Sequence, residues 1–134
     1  MVIVICEIHP AKAEGSLNEE WFVVENTGSK PFSTAGCTIG VGQGGAKSSR
    51  LKQLGTLDPG FTVAPGEKVR VVSGNPSKKA HGEPPQEDEG IRNYHLFLGS
   101  PIFSRRSTVI AMFLKQHELA RATFEPTESS QHGA

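Results

Sequence analysis

A glycine-rich run at residues 40–45 is the first part of the sequence whose residue types and spacing could do chemistry. It reads G-V-G-Q-G-G and matches the G-x-G-x-x-G pattern, in which glycine amides approach the pyrophosphate of a dinucleotide at a helix N-terminus. That mechanism requires a helix after the glycines, whereas the segment 46–54 is short and the sequence T-L-D-P-G ends it. We therefore predict a flexible loop and no small-molecule cofactor, with a weak anion contact through Lys47 as the alternative.

Five histidines and two cysteines are the candidate metal ligands. The histidines lie at positions 9, 81, 95, 117 and 132, without the spacing of a ligand set. The pair His117-Glu118 lacks the second histidine of an H-E-x-x-H motif, because Arg121 occupies that position. Two cysteines can form neither a four-thiolate zinc site nor a disulfide framework. The sequence therefore predicts no metal site.

The candidate nucleophiles have no recognisable catalytic partners in the sequence. No serine lies in a G-x-S-x-G motif. Cys6 belongs to an apolar run, where a thiol is normally an inert small hydrophobe, whereas Cys37 follows Gly36 and should be more accessible. We predict no catalytic residues and no enzymatic activity. A small hydrolase is kept as an alternative, which predicts an inhibitable nucleophile near His95 or His117.

Charge is balanced over the whole chain but unevenly distributed along it. Fourteen basic and fourteen acidic residues cancel, so the overall field favours no type of partner. Residues 30–79 contain eight basic and two acidic residues, whereas residues 1–25 contain one basic and five acidic residues. Two interpretations stay open: separate basic and acidic faces, or ordinary solvated surface. The predicted contacts to a partner or an anion are Arg50, Lys52, Lys78, Lys79, Arg105 and Arg106.

Short β-type runs separated by turn residues recur along the chain, and no segment keeps a 3.6-residue period. The run Lys68–Val72 shows this best, because Val69 and Val71 alternate with two basic residues after an A-P-G-E turn. The other predicted strands are Val2–Ile8, Glu20–Asn26, Cys37–Val41, Tyr94–Leu98, Ser107–Leu114 and Leu119–Glu125. Seven to nine short strands at this spacing predict an all-β, immunoglobulin-like β-sandwich.

Three local features refine this prediction. The last two strands form the clearest hairpin, joined by a polar loop at residues 115–118. Trp21 lies within a strand and is predicted to be in the core or semi-buried. The segment Ser49–Leu54 offers a helical alternative, but it is only about a turn and a half long.

The chain of 134 residues fits one domain, which we place at residues 1–125. Residues 74–93 are rich in proline, glycine and acidic residues and predict a mobile insertion between strands. Residues 126–134 predict a disordered tail. No apolar run approaches the roughly 20 residues of a membrane span, and the N-terminal segment lacks the pattern of a signal peptide. We therefore expect a cytoplasmic location and no contact with a membrane.

Three short motifs, in order, resemble those of the lamin tail domain, an immunoglobulin-like β-sandwich of nuclear lamins and bacterial proteins. They read E-W-F-V-V-E-N-T-G at residues 20–28, G-C-T-I at 36–39 and V-A-P-G-E-K-V at 63–69. The last two predicted strands also resemble those of the family, so the resemblance spans about residues 2–125. The chain departs from the family at Cys37, where tryptophan is usual, and at Val23, where many bacterial members carry glutamate.

The resemblance implies a non-enzymatic interaction module that binds a protein partner or a charged polymer. The alternative is a β-sandwich that binds nucleic acid or another anion, because lamin tails and their relatives are associated with DNA-facing roles. The sequence shows no heptad pattern, so the resemblance does not imply assembly into filaments.

Overall fold

The computed structural model describes residues 2–13, 15–88, 90–103 and 106–126. The predicted disordered tail therefore lies outside the described residues, apart from Pro126. The described residues contain ten strands: β1 (Ile3–His9), β2 (Trp21–Asn26), β3 (Phe32–Ser33), β4 (Thr38–Gln43), β5 (Lys52–Thr56), β6 (Thr62–Val63), β7 (Lys68–Val72), β8 (Ile91–His95), β9 (Thr108–Leu114) and β10 (His117–Phe124). Single-turn 3₁₀ helices lie at Leu17–Glu19, Ser48–Arg50 and Lys79–His81. None of the helices described has the length and apolar character that crossing a membrane requires.

Two four-stranded sheets form the body of the fold. The first has the strand order β1-β2-β7-β8 and the second has the order β10-β9-β4-β5. Neighbouring strands within each sheet are antiparallel, except that β7 and β8 run parallel. The short strands β3 and β6 pair with each other. The predicted fold class, an all-β sandwich, is confirmed, although the described residues contain ten strands where seven to nine were expected.

The inner faces of the two sheets meet in one hydrophobic core. Phe22 of β2 lies directly opposite Val71 of β7, and both side chains are fully buried. From the second sheet, Ile110 and Met112 of β9 pack into the same core. Each such side chain contributes about 1.5–3 kcal/mol through burial. Val69 and Val71 both enter the core, so the alternation predicted for β7 is correct.

Most predicted strands differ from the structure by one or two residues at an end, and two predicted segments differ by more. The segment proposed as a helical alternative instead makes one 3₁₀ turn at Ser48–Arg50 and then enters strand β5 at Lys52. The strand expected at Tyr94–Leu98 begins earlier and ends at His95. It ends there because Phe97 has a φ of 56°, which extended backbone does not allow.

The hairpin between β9 and β10 is tighter than the predicted four-residue loop, because its turn consists of Lys115 and Gln116 alone. Their φ angles are 50° and 71°, which is the left-handed pair of a type I′ turn. Residues other than glycine, asparagine and aspartate are strained in this left-handed backbone conformation. Lys115 and Gln116 are therefore residue types that do not favour the backbone conformation of this turn.

We expect Gln116→Gly to raise the free energy of unfolding by about 1 kcal/mol, because glycine adopts positive φ without steric cost. Urea unfolding followed by the fluorescence of Trp21 measures this change. The matched control is His117→Gly, one residue later in extended backbone, which should lower stability by about 0.5–1 kcal/mol. A loss of stability in Gln116→Gly would contradict the assigned turn.

The segment at residues 74–93 makes more hydrogen bonds than we would expect of a mobile insertion. Its end, from Ile91, belongs to β8. Arg70 Nε donates to Asn93 Oδ1 at 2.8 Å, and the Arg70 guanidinium also donates to the carbonyl oxygen of Gln86. Asn93 in turn donates from its side-chain amide to the carbonyl oxygen of Pro85 at 2.7 Å. The prediction that the whole segment lies between strands was therefore wrong at its end, and the mobility of its remainder stays a prediction.

The G-x-G-x-x-G run is mostly strand, so the predicted flexible loop was wrong for residues 40–43, which belong to β4. A Cβ at Gly42 would lie 2.7 Å from Leu51 Cδ2, and one at Gly40 would lie 3.1 Å from Phe113 Cε1. Leu51 and Phe113 belong to a second buried cluster, with Val109 and Ala111, on the outer face of the second sheet. Because Gly40 and Gly42 have no side chain, Leu51 can pack against that outer face.

Candidate functional site

The loops at one end of the sandwich carry the basic residues predicted as contacts. Gln43, at the end of β4, pairs with Thr108 at the start of β9, and the Gly44 N–H donates to the carbonyl oxygen of Ser107 at 3.1 Å, so the loop after β4 meets the residues just before β9. Glu20 accepts hydrogen bonds from Ser73, in the segment after β7, and from residues 102–103, in the chain before β9. It therefore links the segment after β7 to the same end of the sandwich. We call this the loop end. Arg50, Lys52, Lys78, Lys79 and Arg106 are exposed at or beside these loops, and the predicted contact Arg105 lies outside the described residues.

The exposed basic residues at the loop end form two groups. Arg50 and Lys52 lie at the start of β5 in the second sheet, together with exposed Lys47, whereas Lys78 and Lys79 follow β7 of the first sheet. The ion pairs found in the described part of the chain lie elsewhere, at Arg92–Glu67 (2.8 Å) and Arg121–Glu118 (2.9 Å). The charges of Lys47, Arg50 and Lys52 are therefore not neutralised by an ion pair within those residues.

The most deeply buried carboxylate, Glu20, is used to hold the fold together. Its side chain is 0 % exposed. Oε1 accepts hydrogen bonds from Ser73 Oγ at 2.7 Å and from the Ile102 N–H at 2.8 Å, and Oε2 accepts one from the Phe103 N–H at 3.0 Å. Burial raises the pKa of Glu20 and outweighs the opposite effect of these hydrogen bonds. No local pattern in the sequence indicates this role, because the partners of Glu20 are 53 to 83 residues away in the chain.

The structure reverses the accessibility predicted for the two cysteines. Cys6 is exposed, at a bulge where β1 shifts its register against β2, and Cys37 is buried. Burial raises the pKa of both thiols, and the Glu25 carboxylate adds to this effect at Cys6. A raised pKa disfavours the thiolate, which is the reactive form.

Within the described residues, the contacts of the two histidines named for the hydrolase alternative do not include either thiol. His95 Nδ1 lies 3.2 Å from the carbonyl oxygen of Gly74, and burial lowers the pKa of this imidazole. His117 is exposed at the start of β10. Across the residues described, no three His, Cys, Asp or Glu side chains form a group that could hold a metal ion.

Trp21 lies on the outer face of the first sheet and is half-buried, in line with its predicted semi-buried position. The ring of His9 stacks on it, with ring centroids 4.0 Å apart and an interplanar angle of 8°. The Arg70 guanidinium lies 5.7 Å from the centroid of the Trp21 ring, within range of a cation–π interaction. The stacked side chains cover the outer face of the first sheet. They lie next to residues 85–86, whose carbonyl oxygens accept hydrogen bonds from Arg70 and Asn93.

Strand β5 is a site that the sequence did not reveal. Within the described residues it pairs with β4 alone, and Lys52, Gln53, Gly55 and Thr56 are exposed. The other terminal strands of the two sheets have neighbours beside their edges: β1 and β10 lie near each other, and the Asn93 N–H of β8 donates to Glu87 Oε2 at 2.8 Å. An unpaired edge strand presents backbone donors and acceptors to a second chain. We call this edge the bare edge.

A small apolar cavity lies beside the bare edge. It has a volume of about 60 Å³ and is lined by Ile39, Leu54, Gly55, Thr56, Leu57, Leu96 and Leu98. It therefore lies between β5 and the chain that follows β8. A Cβ added at Gly55 would meet no atom within 4 Å, so the space next to this glycine is empty.

Comparisons with known proteins found similarity to solved structures but none to a protein family or a curated protein. No protein-family model matches the chain, and no curated protein matches it. Among solved structures, the archaellum periplasmic stator protein FlaG from Sulfolobus acidocaldarius is similar, with 12% sequence identity and a TM-score of 0.48. The match covers 91% of this chain and 97% of that chain. The function is therefore argued from the geometry of the chain itself.

Proposed function

We propose that the chain is a non-enzymatic interaction module that binds a protein partner. The observation that supports this is the bare edge of β5 beside the unneutralised charges of Arg50 and Lys52. An open edge supplies main-chain hydrogen bonds to a partner, and charges beside it set orientation and association rate. Two of the groups with altered pKa values serve the fold instead: Glu20 accepts hydrogen bonds from Ser73 and from the N–H groups of residues 102 and 103, and Cys37 is buried.

The proposal includes the lamin-tail resemblance and the cytoplasmic location expected from the sequence. The motif at residues 20–28 that carries the resemblance contains Glu20 and Trp21, and both have structural contacts that explain why these residue types suit the fold. Glu20 fixes the loop before β9, and Trp21 stacks with His9. A shared partner does not follow from these contacts, because neither residue is part of the bare edge.

The experiment that tests the proposal is affinity capture from lysate of the source organism with the full 134-residue chain. Two charge-reversal variants serve as matched probes: Arg50→Glu with Lys52→Glu, and Lys78→Glu with Lys79→Glu. We expect the wild-type chain to retain a specific protein that the first variant loses, at least tenfold by quantitative mass spectrometry. Identical sets of proteins on the wild-type chain and both variants would contradict the proposal.

A nucleic-acid partner is the competing outcome, and salt dependence separates it from a protein partner. A binder that contacts several phosphates loses affinity steeply as salt rises. We expect a fluorescently labelled DNA duplex to show no saturable binding even at about 50 mM salt. Saturable binding that weakens steeply with salt would favour the nucleic-acid function over the protein-binding function.

A further inference from the structure

We propose that β5 accepts an extended, acidic segment of a partner protein as an added strand, with one apolar side chain of that segment in the cavity beside Gly55. This inference rests on the proposed function and names the chemistry of the partner. It combines three features of the described residues: the bare edge, the cavity and the cluster of basic side chains at the start of β5.

The first argument is the availability of the backbone of β5. Five residues, Lys52–Thr56, form a strand of roughly 17 Å, long enough for several main-chain hydrogen bonds to an added strand. Natural proteins usually protect an edge with charges, proline, bulges or a covering segment. The segment after β7 supplies such cover at β8 through Glu87. At β5, Lys52 is the one charged side chain, and the pairing with β4 skips Leu54. The edge therefore carries one charge and one irregularity, and no strand of the described residues pairs with its outer side.

The second argument is the cavity, which gives the added strand a place for one side chain. Alternate side chains of an added strand point to the same face, and pockets for them provide specificity. An apolar cavity of about 150 Å³ can hold benzene. The cavity beside Gly55, at about 60 Å³, suits a smaller aliphatic group such as that of valine. Gly55 is one of the residues that line the cavity, and it is exposed to solvent.

The third argument is charge. Lys47, Arg50 and Lys52 are exposed within six residues, and the acidic group nearest in sequence after them is Asp58, beyond the far end of β5. Glu118, which reaches this loop, already accepts hydrogen bonds from Ser48 and Arg121. An acidic segment therefore complements this end of β5, whereas a basic segment is repelled.

Phe97 provides an independent indication that this side of the fold contacts another molecule. Its side chain is 62% exposed, and its φ of 56° is strained for an aromatic residue. The residues on either side of it, Leu96 and Leu98, line the cavity. Backbone strain that keeps an aromatic ring in solvent is typical of binding sites.

The test uses the full chain and a fluorescein-labelled, amidated octapeptide that alternates aspartate and valine, with binding measured by fluorescence anisotropy. Two control peptides alternate lysine and valine, or carry proline at two central positions of the acidic peptide. We expect saturable binding of the acidic peptide and at least tenfold weaker binding of both controls. Equal binding of the acidic and basic peptides, or no binding of the acidic peptide, would overturn the proposal.

The decisive variant is Gly55→Val, which places a branched side chain on the exposed strand next to the cavity and meets no existing atom at Cβ. We expect it to weaken peptide binding at least tenfold while its midpoint of thermal unfolding is equal to or higher than that of the wild type. Arg50→Glu with Lys52→Glu should weaken binding of the acidic peptide and improve binding of the lysine peptide. If Gly55→Val binds the peptide as the wild type does, strand addition at the cavity is wrong. Should charge-sensitive capture from lysate persist in that case, the proposed function stands and only this inference fails.

Discussion

Replacing Glu20 with alanine is expected to lower the free energy of unfolding by about 3 kcal/mol or more. The substitution leaves three buried donors, on Ser73, Ile102 and Phe103, without an acceptor. Each unsatisfied buried group costs about 1–3 kcal/mol. Urea unfolding followed by Trp21 fluorescence measures the loss. The matched control is Glu19→Ala, one residue earlier and only partly buried, which should change stability far less. Equal effects of the two substitutions would contradict the role of Glu20.

Glu20 also predicts a pH dependence of stability whose sign follows from its raised pKa. Because the pKa is higher in the folded chain than the ordinary 4.5, folding favours the protonated carboxyl group. This contribution is fully present below the ordinary pKa and is lost as pH rises through the folded value. Glu20→Gln has no such titration. We expect the stability of the wild type, relative to this variant, to fall between pH 4 and the raised pKa, and a rise instead would contradict the sign.

The second large effect is expected at Gly74, where the segment after β7 passes the 3₁₀ helix Leu17–Glu19. A Cβ at this position would lie 2.6 Å from the backbone nitrogen of Asn18 and 2.7 Å from the carbonyl carbon of Leu17. Backbone atoms cannot move aside as the end of a side chain can, so Gly74→Ala must displace one of the two segments. We expect a loss of about 2–3 kcal/mol in the free energy of unfolding.

The same substitution at Gly55 is the control for Gly74→Ala. Gly55→Ala meets no atom within 4 Å, so it should leave stability unchanged or raise it by about 0.4–1 kcal/mol. Gly74→Ala should also speed limited proteolysis after residue 74, because Asn18 Nδ2 donates to the carbonyl oxygens of Asn75 and Gly82 and anchors this segment. Equal stability of the two variants would show that the approach of Gly74 to Asn18 does not constrain the fold.

The fold class could be predicted because it depends on patterns that are local in sequence. Strand β7 has the full alternation of a half-buried strand, and the structure gives it the predicted bounds, Lys68–Val72. Strand β5 was missed because its residues, K-Q-L-G-T, are polar and contain glycine. An edge strand with most of its side chains in solvent needs no apolar alternation, so its sequence resembles that of a loop.

The candidate site was predictable only in part, because its parts come together through pairing between distant segments. The sequence indicates Arg50 and Lys52 as contacts by their charge alone. It does not predict β5, the strand that places them beside an open edge. The cavity depends on Leu96 and Leu98, which follow β8 and lie 40 and 42 residues beyond the end of β5. The burial of Glu20 depends on Ile102 and Phe103 in the same way. No local pattern in the sequence encodes such contacts.

Amide hydrogen exchange of β5, with and without the aspartate–valine peptide, tests most directly whether this strand is the binding surface. In the free chain, we expect the amides of Lys52–Thr56 that do not bond to β4 to exchange rapidly, as unpaired backbone groups do. Saturating peptide should slow them at least tenfold and leave the segment around Lys78 and Lys79 unchanged. Unchanged exchange in β5, together with slowed exchange around Lys78 and Lys79, would contradict this account.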